Sequence, residues 1–323
     1  MTAALRALRR RILTPALSST SLEVRGFRRK DPEAQELLET IGRSFLEGYG
    51  QIVEAPDPQA AEPRLEAVPR RFRGFAYEGA AMGCSIMDAL PGSGGRRLSG
   101  LLAGRGGAHT YMAYIGVGWA MARLPRMLHP DVQETDPLLR WLILDGYGFH
   151  QAYFHTDRYV HGQHRERKLP WPQDQASYAH RAVDQGIGRA LWFVGGTDVN
   201  AVLALAGAFA PARRGDLLSG VGLAATYAGG AGADELRRLR DGAGEHRPQL
   251  LQGSAFAAEA RERAGLTEPH TRLATEVLCG VEPPEAARVC RETRPGASDR
   301  VDTPAYETWR QRIAGALVSG GRC

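Results

Sequence analysis

Lysine is nearly missing from this 323-residue chain: of 41 basic residues only Lys30 and Lys168 are lysines, and the rest are arginine, as a GC-rich genome produces. The formal net charge of +5 does not mark a nucleic-acid binder. The arginines are scattered and interleaved with acids, as in "ELRRLRDGAGEHR", so no basic stripe exists to follow a phosphate backbone. Cysteine is sparse too. Cys84, Cys279, Cys290 and Cys323 show no CxxC spacing, and no apolar secretory core follows "MTAALRALRRR" before Pro15, so a reduced, cytoplasmic protein is expected. No stretch approaches the ~20 apolar residues of a membrane span; the best, Ala201–Pro211, has flanking charges, so stable membrane insertion is not expected.

Several chemical signatures are missing as well. "LSGVG" is out of phase with a Gly-x-Ser-x-Gly nucleophile elbow, and aspartate clusters of the DDxxD or DxDD type do not occur. "GRGGAH" at Gly104–His109 lacks the Lys-Ser/Thr of a phosphate loop, and no Gly-x-Gly here follows a strand as a dinucleotide fingerprint requires. No HExxH or ExxH pair is present. The expectation is a protein without cofactor or metal. β-Branched residues are sparse and no clean alternating strand can be found, which predicts a mostly α fold.

With 43% hydrophobic and 24% charged residues, the chain has the balance of a folded globular protein and the length for more than one domain. Three segments are predicted: an arm, helix and linker over 1–71, a core over 72–231, and a helical region over 232–323 that packs on it. Met1–Phe27 reads as an arm lying on the body; membrane docking would want larger apolar anchors than Leu5, Leu8, Ile12 and Leu13. Asp31–Gly50 reads as an amphipathic helix, with Asp31 as N-cap, Pro32 at its first position, and Leu37, Leu38, Ile41, Phe45 and Leu46 at helical spacing. Gln51–Arg71 is a proline- and acid-rich connection.

The middle segment repeats itself. "YIGVGWAMARLP" (Tyr114–Pro125) resembles "DQGIGRALWFVG" (Asp184–Gly195), and "LDGYGFHQAYF" (Leu144–Phe154) resembles "LSGVGLAATYA" (Leu218–Ala228). Two different motifs recurring in one order at an offset of about 70 residues imply duplicated helical-hairpin units. A degenerate copy, "GFAYEGAAMGCSIMDAL", stands at Gly74–Leu90. Each Gly-x-Gly is read as the start of an apolar helix, where missing Cβ atoms permit either close packing or backbone facing a cavity. By fold analogy, the expected architecture is an α/α-toroid-like helical array around a cavity.

Carboxylates embedded among apolar and aromatic residues are the candidates for chemistry. Glu78 lies among Phe75, Tyr77, Ala80, Ala81 and Met82, where it must be paired or have a raised pKa, the condition for a general acid or base. Asp145 in "WLILDGYGFH" is either its partner base or an N-cap for a helix beginning at Gly146. Asp216 is a third such carboxylate. His150 completes the catalytic set, and Tyr77, Trp119, Tyr147, Tyr153, Trp192 and Tyr227 are expected to bind substrate in one pocket. On one unbroken helix His150, His161 and His164 would share a face and His155 would fall off it, a poor metal site. Cys84 reads as buried packing.

These motifs, with the opening "LRRRILTPALSSTSLEVRGF", resemble the domain-of-unknown-function family 1702, which includes the UnbL-type proteins of actinobacterial enediyne gene clusters. The resemblance runs from about Leu5 to Gly230. It implies a role in bacterial secondary metabolism beside an iterative polyketide synthase that makes a long polyene, and so other enzymes of that pathway as partners. It supplies no catalytic residues. Two functions are therefore expected to compete: a cofactor-independent cyclase or isomerase acting on a hydrophobic polyene or polyketide, and a carrier that sequesters a reactive product.

Overall fold

The computed structural model describes residues 2–132, 135–169, 171, 176–296 and 304–320. Among these the regular structure is helical throughout, with no strand. Cys323 lies outside the described residues, and Cys84, Cys279 and Cys290 are buried free thiols.

The amino-terminal arm folds as α1 (Ala3–Leu13) and the single turn α2 (Leu22–Arg25). Next comes α3 (Pro32–Glu54), started as the sequence predicts: the Asp31 carboxylate accepts the Ala34 N–H at 2.8 Å, and Pro32 occupies the first position. The connection beyond it carries α4 (Glu62–Ala67) before α5 (Arg70–Asp88). The body continues with α6 (Arg97–Ala103), α7 (Thr110–Arg123), α8 (Trp141–Phe154), α9 (Ala176–Val194), α10 (Val199–Ala208) and α11 (Pro211–Ala228). The carboxy-terminal part adds α12 (Ala233–Gly242), α13 (Arg247–Arg263), α14 (Pro269–Cys279), α15 (Pro283–Glu292) and α16 (Ala305–Gly320). One apolar cluster runs through all three parts, from Leu22 to Leu317.

The helices α3, α5, α7, α8, α9, α11 and α13 form a succession in which each packs on the next. Glycine sets their spacing, from positions that differ from the sequence reading. The Gly-x-Gly pairs lie in the middle of α7, α8, α9 and α11, not at their starts. Two residues along a helix turn through about 200°, so one glycine meets the preceding helix and the other the following one. A Cβ on Gly118 would fall 1.9 Å from the Ile143 carbonyl oxygen of α8, and one on Gly146 would fall 2.0 Å from that of Ile115 in α7. The α9–α11 contact repeats this arrangement: Gly188 meets the Leu217 carbonyl and Gly220 that of Gln185, each at 1.9 Å. A mid-helix glycine costs about 1 kcal/mol against alanine, and backbone-on-backbone packing with Cα–H···O contacts offsets it.

The same reciprocal contact joins α8 to α9, with Gly148 at the Val183 carbonyl and Gly186 at that of Asp145, so the glycine pattern recurs at every contact from α7 to α11 and does not by itself mark an A, B, A, B order. The degenerate copy in α5 departs from it, because Gly79 and Gly83 both face α3, at the Phe45 and Tyr49 carbonyls. Asp145 is likewise no N-cap. It lies in the second turn of α8, fully buried.

Candidate active site in an aromatic cavity

Five helices and the arm enclose a cavity of about 420 Å³. Each helix presents residues three or four apart, which share one face: Ile41 and Phe45 from α3, Phe75 and Glu78 from α5, Trp119 and Arg123 from α7, His150, Tyr153 and Phe154 from α8, Arg189 and Phe193 from α9. Pro15, Ser19 and Thr20 close one side. The aromatic rings form a continuous lining, with Trp119 4.4 Å from Phe45 and 5.2 Å from Phe149 between centroids, and Phe149 5.2 Å from Phe193.

Few polar groups break this wall. Glu78 is 3% exposed, and burial raises its carboxyl to about pH 7 against the pull of Arg189. That pull does not cancel the burial, and Asp145, which holds Arg189 by the closer contact, adds its own charge in the raising direction. Arg189 Nη1 lies 2.5 Å from Asp145 Oδ1, while its Nη2 stays 3.9 Å from Glu78 Oε1. The guanidinium also lies 5.0 Å over the Phe149 ring, and its Nε has no hydrogen-bond partner in the protein. Gln185 Nε2 donates to the second Asp145 oxygen at 2.8 Å, so that carboxylate is spoken for on both sides.

His150 is also buried, and burial, reinforced by Arg123, lowers its pKa to about 3. It is a neutral imidazole at physiological pH, and its Nδ1 has no hydrogen-bond partner. α8 ends at Phe154, which overturns the unbroken-helix phases of the histidine run. His155 caps α8 and turns into the cavity with His150, their rings 6.4 Å apart. His161 sits exposed at the end of a π turn, and His164 contacts the Arg158 guanidinium at 2.7 Å.

Of the residues expected in one pocket, Glu78, Trp119, His150 and Tyr153 line this cavity. Asp145 stands behind it, reaching it only through Arg189. Tyr77 follows the wrong helical phase: one residue from Glu78, it stacks on His109 at 3.9 Å and donates to Glu66 Oε1 at 2.7 Å. Tyr147 points away to accept from Gln151 Nε2 at 3.0 Å. Trp192 turns opposite to Phe193, its indole N–H donating to the Gly229 carbonyl at 2.9 Å. Tyr227 packs over Gly74, beneath the buried Arg261 guanidinium at 4.2 Å. Asp216 belongs to a separate buried network with Arg181 and Arg310.

The chain belongs to the family described as protein of unknown function (DUF1702). The family model matches residues 4–317, nearly the whole chain. No curated protein and no solved structure matches it.

Arg189, Arg123 and Phe193 went unread in the sequence, and His155 was weighed there only as a metal ligand. Arg189 carried a usable signal, a charge inside the apolar run "GIGRALWFVG", where only a buried carboxylate could balance it. His155 carried none, because its direction depends on where α8 stops.

Proposed function

We propose that this cavity binds a hydrophobic polyene or polyketide intermediate and that Glu78 serves there as a cofactor-independent general acid–base. The observation that carries this reading is a carboxyl group buried in an aromatic lining with a pKa of about 7. Such a group holds and releases a proton at comparable cost near neutrality, where general acid–base catalysis is most effective. The volume lies within the range of roughly 300–1,000 Å³ typical of small-molecule sites, and aromatic faces suit a conjugated, apolar chain.

Protonated Glu78 would deliver its proton to an alkene carbon or carbonyl oxygen of the ligand, and the carboxylate so formed would take one back from a neighbouring carbon, restoring the acid, with the neutral His150 imidazole beside it as a hydrogen-bonding group. The net change is a proton relocation that can drive isomerisation, cyclisation or C–C bond formation. Arg189 is a positioning residue, held by Asp145 and tuning Glu78 by its charge. The resemblance noted for the sequence motifs is what supports assigning such a step to enediyne or related secondary metabolism, beside other biosynthetic enzymes of the pathway.

Glu78→Gln tests the reading. It keeps the side-chain volume and removes the titrating proton, so conversion of the pathway intermediate should fall at least about 100-fold while binding persists. The predominance of aromatic and aliphatic side chains in the lining favours a second reading, a carrier that shields a reactive product. Undiminished product formation by a Glu78→Gln strain would leave that reading standing alone.

A further inference from the structure

The amphipathic helix α1 is mounted with its apolar side outward. An ordinary surface helix turns its leucines to the core and its charges to water. In α1 only Leu13 packs inward, whereas Leu5, Leu8 and Ile12 are 52%, 50% and 70% exposed. Arginines hold the inner side instead. Arg9 Nε donates to the Val53 carbonyl at 2.6 Å and its Nη2 to that of Ala55 at 3.2 Å, satisfying backbone acceptors at the end of α3. Arg10 pairs with Glu54 at 2.8 Å.

At about 100° per residue, Leu5, Leu8 and Ile12 fall within one narrow sector, flanked by the exposed Arg11. Leu17, 65% exposed in the next helical turn, extends the apolar edge. The charge is as uneven as the burial. Residues 1–30 hold eight basic side chains against Glu23 alone, a net +7; with +5 for the whole chain, residues 31–323 sum to −2.

We infer that α1 and the turn after it are a docking surface for an anionic lipid bilayer, with Leu5, Leu8, Ile12 and Leu17 entering the interfacial region and the exposed Arg11 at their flank meeting lipid phosphates. Two features select a bilayer over a protein partner. The face is an aliphatic ridge without the aromatic anchors that concentrate protein–protein affinity, and α1 carries four arginines and no acid of its own, Glu54 pairing with Arg10, whereas Arg28, Arg29 and Lys30 further along the arm pair with Asp198, Glu23 and Glu235. Pro15, Ser19 and Thr20, directly after α1, line the aromatic cavity, so docking brings the cavity's edge to the membrane surface. An apolar ligand would then load from lipid; that clause rests on the ligand reading above, while the docking itself does not.

Co-sedimentation of the full chain with vesicles tests this. The protein should pellet with phosphatidylcholine vesicles containing phosphatidylglycerol and stay soluble with phosphatidylcholine alone, and raised salt should release it. Leu8→Ser/Ile12→Ser should weaken the association at least about tenfold, and Arg11→Glu should weaken it further, with unchanged thermal melts because these side chains are exposed. Equal behaviour with both vesicle types, pelleting with neither, or full association of the double variant overturns the inference. So does a chain that dimerises through this ridge, seen as self-association lost in the double variant without any vesicle binding.

Discussion

The guanidinium of Arg189 stands 3.9 Å from the Glu78 carboxylate, too far for a hydrogen bond and near enough to be felt as charge. Burial still outweighs the Arg189 charge at Glu78, and this gives the folded protein a definite pH dependence. Unfolded, the side chain titrates near 4.5; folded, near 7. Between those values the folded state binds more protons, so stability falls as pH rises from about 4.5 to about 7, by on the order of 3 kcal/mol. Glu78→Gln should therefore be more stable than the natural chain at pH 8, with the difference vanishing near pH 4.5. Urea unfolding across this range measures it; parallel curves at both ends would refute a neutral-range Glu78.

The buried histidines act with the opposite sign. His109, His150 and His270 are lowered to about 4, 3 and 3, chiefly by burial. Below about pH 6.5 the unfolded chain takes up protons that the folded chain refuses, so stability declines as pH falls toward these values. His150→Gln should lose part of that acid sensitivity in the same urea series. A slope identical to that of the natural protein would mean His150 is already protonated in the fold.

Asp145→Asn tests the hierarchy among the three charges. The substitution removes the principal partner of Arg189 and leaves Glu78 as its nearest carboxylate. Breaking a buried pair in this way costs about 3–5 kcal/mol. It should also draw the Glu78 pKa down, since an acid is lost beside it and a cation is freed toward it. Carboxyl ¹³C shifts, assigned by comparison with Asp145→Asn/Glu78→Gln, would follow the titration. A Glu78 pKa still near 7 in Asp145→Asn would show that Asp145 does not govern it.

The helices were legible because they rest on periodicity and on punctuation such as Asp31–Pro32, which act locally. The placement of the glycines was not: glycine at a helix start and glycine at a helix–helix contact look the same in sequence, and only the neighbouring carbonyl distinguishes them. That single ambiguity moved Asp145 from a helix cap to the second turn of α8. Glu78 was legible because a carboxylate amid apolar residues is anomalous wherever it folds. Tyr77 and Trp192 were misplaced because adjacent helical residues diverge by about 100°, so standing next to Glu78 or Phe193 says little about facing the same space, whereas Tyr147 and Tyr227 are turned by tertiary contacts, to Gln151 and beneath Arg261, that the sequence does not show.

Glycine at the contacts leads to a paired expectation. Gly188→Ala would put a methyl group 1.9 Å from the Leu217 carbonyl, which can be relieved only by separating α9 from α11. The loss should exceed about 3 kcal/mol, at or beyond the usual upper range for overpacking. Gly207→Ala, near the end of α10 with no atom within 4 Å of the new methyl, should instead stabilise by about 0.5–1 kcal/mol. Thermal melts of the two variants would decide the matter, and a Gly188→Ala protein as stable as the natural one would dismiss the close-approach account.

Filling the cavity separates ligand binding from fold integrity. Ala122 lines the cavity from α7 and is only half-buried, so a larger side chain there can enter the open space without displacing packed atoms. Ala122→Phe should occupy part of the 420 Å³ and reduce the affinity for a fluorescent polyene probe at least about tenfold, since the new ring takes space the probe needs. Thermal stability should stay within about 0.5 kcal/mol, the ordinary range for a change outside the packed core. The expected pattern is thus weakened binding on an intact fold, read by probe titration beside a melting curve. Undiminished probe affinity in a stable Ala122→Phe protein would place the ligand elsewhere, and with it any role for Glu78 and His150 in its chemistry.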